Sequence, residues 1–343
     1  SPIAGKWADD YGRRMMIIAG LSILALSMFV FYLSDHIWIL YLSRVIGGIG
    51  SALLVPAIFA YIADITSLDQ RARGTSYVSA AMSLGIVIGP GIGGFLADWG
   101  LKVPFLISAL GTLAAVVFSV AVLKETHQPN SQEQHGRDPE PMVRKMAESV
   151  KKPYFIVLFI SLVMSFGLMA YESVIGLFVD DQFGATPRDI ALMVTSTGIV
   201  SVIVQLFIVD RTVARFGEWP VLISFLALTA AGFLFSVFAK TYVLFFAITL
   251  IIFLATSILR PVLNTLVSKL AGNEQGFAMG MNNAYMSIGN VLGPVLAGVM
   301  YDQSIIYPFI LGFVILLITT LLAIKWQGKN REIQGNDRVV QHD

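Results

Sequence analysis

The sequence contains no cysteine and only four histidines in 343 residues. The absence of cysteine excludes disulfide bonds, thiolate nucleophiles and cysteine-ligated metal centres. The histidines are too scattered to form a ligand cluster, so no metal and no cofactor are predicted: His36, His127, His135 and His342. Charged residues make up 13% of the chain, against about a quarter of an ordinary soluble domain. The composition is therefore not that of a soluble globular protein.

Neither sign of charge is in excess. Lys and Arg number 23 and Asp and Glu number 22, so the net charge is +1 and no basic face is available for nucleic acid. The apolar segments contain no Ser/His/Asp set, no paired carboxylates and no metal-spaced ligands, and no sizeable soluble domain is visible. The chain is therefore predicted not to be an enzyme, and a transporter-like sensor is disfavoured for the same reasons.

Hydrophobic residues are abundant, at 56% of the chain. A bilayer core of about 30 Å needs roughly 20 mostly apolar residues per helix. These runs must be helices, because lipid offers the backbone no hydrogen-bond partners and the runs lack the alternation of barrel strands. The ten predicted spans are 15–34, 37–62, 75–98, 103–123, 153–179, 190–209, 220–239, 242–268, 277–301 and 305–326.

Two polar segments divide this pattern. Residues 124–152 are rich in charge, Gln and Pro and are predicted to be a linker between two bundles. The predicted domains are an N-terminal bundle over 1–123, the linker, a C-terminal bundle over 153–326 and a polar tail over 327–343. Eighteen Lys and Arg residues fall on the side of the linker and tail, and three fall on the other side. The linker and the C-terminus are therefore predicted to be cytoplasmic.

An internal repeat relates the two bundles. Residues 80–105 and 284–309 match at a constant offset of 204, with eleven of 26 positions identical. Such duplication is common in secondary transporters. The repeat pairs the third span with the ninth, so each half is expected to have six helices. This spacing predicts a twelve-helix protein in which ten helices are present and two more precede Ser1.

Charges inside spans are costly and therefore suggest function. Glu172 lies about 12 Å from the outer end of its span, among apolar and aromatic residues that include Phe166 and Tyr171. Desolvation favours the protonated carboxyl, so Glu172 could exchange protons near neutrality, and a cationic ligand could compete with the proton. The alternative is a carboxyl tied structurally to an arginine or an amide.

Two arginines also lie within spans. Arg44 could extend to the outer surface or act as a buried counter-ion, and three nearby glycines favour the second role. Arg260 precedes Pro261 and lies deeper. Uncharged polar residues on the later helices are expected either to join helices or to line a cavity: Asn264, Asn282, Asn283 and Asn290.

Two glycine motifs stand out. The first is a short loop in which glycines flank an acid and precede two bases: Gly5, Asp9, Gly12, Arg13 and Arg14. Glycine supports a tight turn there, and the charges could bridge neighbouring helices. A simple positively charged loop is the alternative.

The second glycine motif lies within the third span and recurs in the ninth. It comprises Gly85, Gly89, Pro90 and Gly94, with Gly293 and Pro294 in the second copy. Small residues four apart allow close helix packing, and proline can bend a helix. Close packing and a functional bend are both possible roles.

Together these motifs resemble the major facilitator superfamily, and within it the twelve-helix drug:proton antiporters, especially Gram-positive quinolone and multidrug efflux pumps. The loop is similar to the signature between the family's second and third helices, and the third-span motif to its fifth-helix antiporter motif. Arg44 matches a fourth-helix arginine that the family implicates in proton transfer. The resemblance also rests on 170–173, 260–261, 271–277 and 288–294.

The resemblance implies an all-α membrane protein with the major facilitator fold, in which two pseudo-symmetric six-helix bundles rock about a central cavity. It implies a monomer in the bacterial plasma membrane that exports amphipathic, often cationic drugs or toxic compounds in exchange for protons. Its partners would be protons, a small-molecule substrate and the lipid bilayer. Glu172 and Arg44 would couple protons, and the cavity would include Phe166, Tyr171, Arg260, Asn282, Tyr285 and Asn290.

The chain departs from the family pattern at two positions. Asp10 stands where the loop signature usually has Arg or Lys, and Ser257 stands where close relatives carry an aspartate. The second departure implies that Glu172 acts without a second acid. The alternative function is proton-linked transport of a single small metabolite.

Overall fold

The computed structural model describes residues 12–126 and 142–340, which form helices and contain no β-strand. Within these ranges the helices are α1 (Arg13–Leu33), α2 (Ile37–Ile65), α3 (Leu68–Ala97), α4 (Val103–Val122), α5 (Met142–Ser149), α6 (Phe155–Phe183), α7 (Pro187–Phe207), α8 (Val209–Phe216), α9 (Glu218–Val237), α10 (Tyr242–Ala271), α11 (Gln275–Tyr301) and α12 (Tyr307–Val340). Ten of these helices are long and apolar enough to cross a membrane, and the exceptions are α5 and α8.

The ten predicted spans are confirmed, and the largest differences occur where a helix continues past its apolar part. Helix α3 begins at Leu68, ahead of the predicted span at 75, and α12 continues through the predicted tail to Val340. Hydropathy identifies the part of a helix that suits lipid, whereas a helix ends only where its hydrogen bonding or its backbone conformation changes.

Local sequence signals set other helix ends. Gly184 adopts a φ of 63° after α6, and its N–H donates to the carbonyl of Asp180, a left-handed cap that glycine favours. Thr241 precedes α10, and its hydroxyl accepts a hydrogen bond from the N–H of Leu244. These ends fix the lengths of the two helices that carry the mid-span charges of the second half.

The repeated segments have matching helix boundaries. Helix α3 ends at Ala97 and α4 begins at Val103, while α11 ends at Tyr301 and α12 begins at Tyr307. Both boundaries therefore recur at the offset of 204 found in the sequence, and the two copies share the same local structure.

The chain divides into two compact units. The first comprises Ser1–Arg137 with Pro187–Thr195, and the second comprises Asp138–Thr186 with Ser196–Asp343. This division differs from the predicted domains at two places. Helix α5, in the predicted linker, packs on α11 of the second unit, and the first residues of α7 belong with the first unit. Sequence composition detects polar segments, but it does not show which neighbour such a segment contacts.

In the first unit, α1 packs against α2 and α4. The α1–α2 contact is close because a Cβ on Gly20 would lie 3.0 Å from the carbonyl oxygen of Gly50. Nearer the opposite end, the hydroxyl of Ser27 donates to the carbonyl of Ser43 at 2.6 Å. Small residues thus allow these two helix backbones to approach each other.

The second unit is built around α6, which packs against α10, α11 and α12. Fifteen residues of α6 are buried. Its outer half contributes two side chains to an aromatic cluster that consists of Tyr171, Phe178, Phe233, Phe245 and Phe309. This packing fixes the rotation of α6 and therefore determines which side chains of α6 remain exposed.

Candidate functional site

Glu172 lies on the exposed side of α6. The adjacent Tyr171 is buried, and so are Val174 and Ile175, whereas Glu172 and Ser173 are exposed. With about 3.6 residues per turn, the packed face of α6 directs residue 172 away from the core of the second unit. A carboxyl in the middle of a span thus lies on the surface of the second unit.

Arg260 is the second charged residue in the middle of a span of this unit. It lies on α10, is exposed and precedes Pro261 within the helix. Helices α6 and α10 pack directly against each other. Two of the predicted site residues therefore lie on adjacent helices.

Within the described part of the second unit, Glu172 and Arg260 are the only charged side chains more than one helical turn from the end of a candidate span. Charged groups at that depth in a membrane protein almost always face the bundle interior or a water-filled cavity rather than lipid. The two groups carry opposite charges.

Asn290, which was predicted to line a cavity, is exposed on α11. Its neighbour Gly289 is buried against α6, where a Cβ on Gly289 would lie 2.8 Å from the backbone nitrogen of Phe166. One turn later, a Cβ on Gly293 would lie 2.5 Å from the carbonyl oxygen of Phe166. This close contact fixes α11, and with it Asn290, relative to the helix that carries Glu172.

Tyr171 and Phe166 do not lie on the open surface, which contradicts the prediction that they line a cavity. Tyr171 is 1% exposed, and its hydroxyl is hydrogen-bonded to the Thr249 hydroxyl at 2.7 Å. Phe166 is buried in the contact between α6 and α11. The prediction treated neighbours in sequence as neighbours of the site, but consecutive helical residues point about 100° apart.

Asn282 and Tyr285 are also buried, and their assignment to an open cavity was wrong. The side-chain nitrogen of Asn282 donates to the Asn264 side-chain oxygen at 2.9 Å and so joins α11 to α10. The Tyr285 hydroxyl lies 3.0 Å from the hydroxyl of Ser149 at the end of α5. Both side chains hold helices together, a role that the sequence analysis left open for the asparagines.

Arg44 contacts aromatic rings of the first unit. Its guanidinium lies 4.1 Å from the ring centre of Phe31 and 5.4 Å from that of Phe105. Gly47 and Gly50 are buried, whereas Arg44 is exposed. Cation–π attraction to these rings stabilises the guanidinium. The sequence analysis considered extension to the outer surface and a role as a buried counter-ion, and it did not predict this stacking.

The loop motif is described from Gly12 onward, and Gly5 and Asp9 lie outside the described residues. Gly12 has a φ of 93°, in the region that favours glycine. Arg13 forms an ion pair with Asp64 at the end of α2, with 3.3 Å between its Nε and the carboxylate. The Arg14 guanidinium donates to the carbonyl of Val120 on α4 at 2.7 Å. These bases therefore connect α1 with α2 and α4.

Glu125 completes this network and was missed by the sequence analysis. Its carboxylate accepts hydrogen bonds from the backbone N–H groups of Arg13 and Arg14 at 2.9 and 3.4 Å. A carboxylate at the start of a helix satisfies free N–H groups and complements the helix dipole. The available signal was an acid directly after the fourth span, on the same side of the membrane as the loop motif.

A second ionic cluster connects the ends of α5, α6 and α11. The Lys152 ammonium donates to both carboxylate oxygens of Glu274 at 2.9 and 2.8 Å, and it lies 3.4 Å from Glu148. The hydrogen bond with Lys152 lowers the pKa of Glu274 and raises that of Lys152. The sequence analysis also missed this cluster, since Lys152 and Glu274 are more than 100 residues apart in sequence.

The glycines of the third-span motif differ in how closely other residues pack against them. No described atom lies within 4 Å of a Cβ added to Gly85 or Gly89, whereas a Cβ on Gly94 would meet the side chain of Ala191. Pro90 lies within α3, which continues through it. In the described ranges, no group of three or more His, Asp or Glu side chains is arranged to hold a metal ion.

Comparison with known families identifies this architecture. A family model described as the Major Facilitator Superfamily matches residues 1–183 and again residues 157–340. Among solved structures, a peptide transporter in complex with sulfate superposes with a TM-score of 0.73 at 15% identity, covering 95% of this chain and 82% of that one. The human organic anion transporter MFSD10 superposes with a TM-score of 0.60 at 20% identity, covering 94% and 79%. Both structural similarities concern the fold.

Two curated bacterial proteins are more similar in sequence. Multidrug resistance protein 2 of Bacillus subtilis is 41% identical over 339 residues, which cover 97% of this chain and 84% of that protein. Quinolone resistance protein NorA of Staphylococcus aureus is 33% identical over 310 residues, which cover 90% and 78%. The similarity to both proteins therefore extends across the two units.

Proposed function

The chain belongs to the major facilitator superfamily, and on this premise we propose that it exports amphipathic, often cationic compounds across the bacterial plasma membrane in exchange for protons. One observation carries the proposal. Glu172 is an exposed carboxyl in the middle of a span, and the packing of α6 keeps it on the surface of the second unit. Such a group can bind either a proton or a cationic ligand.

The relatives support the drug-export part of the proposal. The names of the Bacillus protein and of NorA attribute multidrug resistance and quinolone resistance to those proteins. Because the similarity to them covers at least 90% of this chain, the helices that carry Glu172, Arg260 and Asn290 lie within the shared region. Export of small amphipathic molecules by a monomer is the function that fits these names and this fold.

The proposed mechanism is competition at one carboxyl. Glu172 would accept a proton when the site faces the acidic outer side and release it when the site faces the cytoplasm. A bound cation and a proton would exclude each other, because both require the same negative charge. Each ligand can shift the conformational equilibrium only through its different affinity for the two states. Alternating access would then convert proton entry into export.

Arg44 has a separate place in the proposal. Its guanidinium is held against two aromatic rings in the first unit, so a positive charge is fixed within a span. A fixed cation in a medium of low dielectric constant influences the protonation of nearby groups. Arg44 would therefore assist proton coupling through its charge rather than by accepting a proton itself.

Replacement of Glu172 tests the mechanism. In the full-length protein, Glu172→Gln should lower proton-driven dye export by about tenfold or more, because the coupling between proton and ligand is lost. Export would be measured in everted membrane vesicles with an imposed pH gradient. Asp180→Asn is the matched control, since Asp180 is exposed at the end of the same helix. Normal pH-driven export by Glu172→Gln would refute the role of this carboxyl.

The same vesicles distinguish the alternative function. A drug exporter should accept chemically unrelated amphipathic cations, whereas a transporter of one metabolite should accept a single compound and its close analogues. Competition between unrelated dyes for the same export would support the proposal. A profile restricted to one compound class without amphipathic character would favour the metabolite transporter.

A further inference from the structure

The second unit repeats the glycine turn of the loop motif but not its ionic contacts. A glycine with a positive φ precedes α1 and α9 alike, Gly12 at 93° and Gly217 at 78°. In the first unit, Arg13 pairs with Asp64, and the Arg14 guanidinium donates to a carbonyl of α4. The bases of the second unit instead precede the glycine, on the short helix α8.

These bases are Arg211 and Arg215, which lie four residues apart and therefore on the same face of α8. Both are exposed, and within the described ranges neither forms an ion pair. The Arg211 guanidinium donates to the carbonyl of Phe207 at 2.8 Å. The Arg215 guanidinium lies 5.4 Å from the ring centre of Phe216. Each guanidinium has five N–H groups, so both keep donors for an anion outside the protein.

The other charged groups at this end of the second unit do not neutralise the two arginines. Glu218, at the start of α9, forms an ion pair with Lys269 of α10. The acid on α8 is the exposed Asp210, so α8 with its two arginines has a net charge of +1. Lys325 near the same end of α12 is exposed and adds a further positive charge. This surface therefore attracts anions.

Apolar side chains that suit lipid border the two arginines. Leu206, Phe207 and Phe216 are 68%, 57% and 59% exposed. Trp219 of α9 and Trp326 of α12 lie in contact, with ring centres 4.7 Å apart, and tryptophan is enriched where spans meet the lipid headgroups. Helix α8 joins two candidate spans. A short basic helix flanked by exposed apolar side chains is typical of a helix that lies in the membrane interface.

We propose that Arg211 and Arg215 bind the phosphate of an anionic phospholipid in the cytoplasmic leaflet, with its acyl chains against Phe207 and Phe216. The distribution of Lys and Arg places α8 on the cytoplasmic side. Guanidinium groups bind phosphate in two-point geometry, and an anionic leaflet attracts basic residues at its surface. A choline headgroup carries a cation beside its phosphate, which the two guanidinium groups repel. The site therefore favours a headgroup with a net negative charge.

Lipid binding to the purified full-length protein tests the site. Native mass spectrometry would compare phosphatidylglycerol with phosphatidylcholine of the same acyl chains. The wild type should bind its first phosphatidylglycerol about tenfold more tightly than phosphatidylcholine, and Arg211→Gln/Arg215→Gln should remove most of this preference. Arg211→Lys/Arg215→Lys, which keeps both charges, should retain most of it. Lys240→Gln is the matched control, because Lys240 is exposed beyond the opposite end of α9.

Three outcomes would overturn the proposal. Equal affinity of the wild type for both lipids would exclude a selective site, and this result does not depend on the folding of a variant. An equal loss of phosphatidylglycerol binding in Lys240→Gln would mean that total charge, rather than α8, attracts the lipid. If glycerol phosphate, which has the same phosphate without acyl chains, bound as tightly as the lipid, the site would be one for a soluble phosphate.

A second measurement locates the bound lipid. Phosphatidylglycerol with brominated acyl chains should quench the fluorescence of Trp219 and Trp326, because both indoles lie at the end of α9 that follows α8. The quenching should be smaller in Trp219→Phe/Trp326→Phe and in Arg211→Gln/Arg215→Gln. Equal quenching in the wild type and in both variants would mean that the lipid binds elsewhere, and it would contradict the proposal.

Discussion

Helices α3 and α11 carry the same repeated motif but pack through different glycines. In α11, Gly289 and Gly293 lie against the backbone of α6. Their counterparts in α3, Gly85 and Gly89, have open space where a Cβ would be added. The duplicated sequence therefore reproduces helix boundaries in both halves, whereas the contacts of each helix depend on its neighbours.

The last glycine of the motif also packs differently in the two halves. Gly94 of α3 would meet the side chain of Ala191 if it carried a Cβ, but its counterpart Gly298 has nothing within 4 Å. Among the described residues, each half thus has closely packed glycines at positions where the other half has open space. The sequence repeat shows that the two motifs have a common ancestor. The contacts that each motif makes can be determined only from the packing of its own half.

The largest predicted effect follows from this difference. Gly293→Ala should destabilise the protein by about 1–3 kcal/mol, because a Cβ only 2.5 Å from the Phe166 carbonyl oxygen forces α11 away from α6. Gly298→Ala on the same helix should be neutral or stabilising by up to about 1 kcal/mol, since no neighbouring helix lies within 4 Å of its added Cβ and alanine favours a helix. Both glycines lie on α11, so the pair is closely matched. Thermal unfolding of the purified variants would measure the difference.

Gly94 provides a second test of the same comparison. Gly94→Ala should destabilise the protein, because the added Cβ would meet the side chain of Ala191. Gly298→Ala, at the corresponding position of α11, should be tolerated. If Gly298→Ala lowered the stability as much as Gly293→Ala, or if Gly94→Ala lowered it no more than Gly298→Ala, a close neighbour would not determine the effect and the prediction would be wrong. Export should fall with stability in Gly293→Ala, because α11 then no longer holds its place beside the helix of Glu172.

The spans and the mid-span charges could be predicted from the sequence because each depends on the residue itself. A run of about 20 apolar residues suits lipid wherever it lies, and a charge inside such a run is costly whatever its neighbours. Glu172 and Arg260 were identified in this way. Tyr171 was misassigned because its aromatic character fits a cavity and a core equally well, and only the packing of α6 decides between them.

Contacts between distant residues could not be predicted from one sequence. Glu125 reaches the start of α1 and Lys152 reaches Glu274, in each case across more than 100 residues. Any of the acids near the same membrane surface could have been the partner in either case. The ionic clusters at the ends of the helices therefore became visible only in three dimensions.

These clusters provide a second, smaller contrast between the halves. In the first unit, Glu125→Ala should cost about 1 kcal/mol, because the first N–H groups of α1 lose their acceptor. Amide hydrogen exchange near Arg13 and Arg14 should accelerate in this variant, and thermal unfolding should shift to lower temperature. Lys124→Ala, which changes the exposed neighbouring residue, should have no comparable effect. Equal exchange in both variants would contradict the cap.

The smallest effect is expected at Glu274 in the second unit, where an exposed ion pair takes the place of a helix cap. Surface ion pairs contribute little, because solvent and salt screen them. Since Lys152 lowers the pKa of Glu274 below its usual 4.5, the stabilisation is fully present above that value and is lost as the pH falls through the lowered pKa. Since Glu274 raises the pKa of Lys152 above 10.5, the same contribution is lost again as the pH rises through that raised pKa.

Thermal unfolding as a function of pH can detect this contribution. Glu274→Gln should unfold at a slightly lower temperature than the wild type near neutral pH, and the difference should disappear in acid and shrink at high salt. Glu148→Gln is the matched control, because Glu148 lies farther from the same ammonium. A difference that persisted in acid would mean that Glu274 stabilises the turn between α10 and α11 through its shape or hydrogen bonding rather than its charge. The two halves would then both depend on local capping at this surface, and the contrast between them would be limited to their glycines.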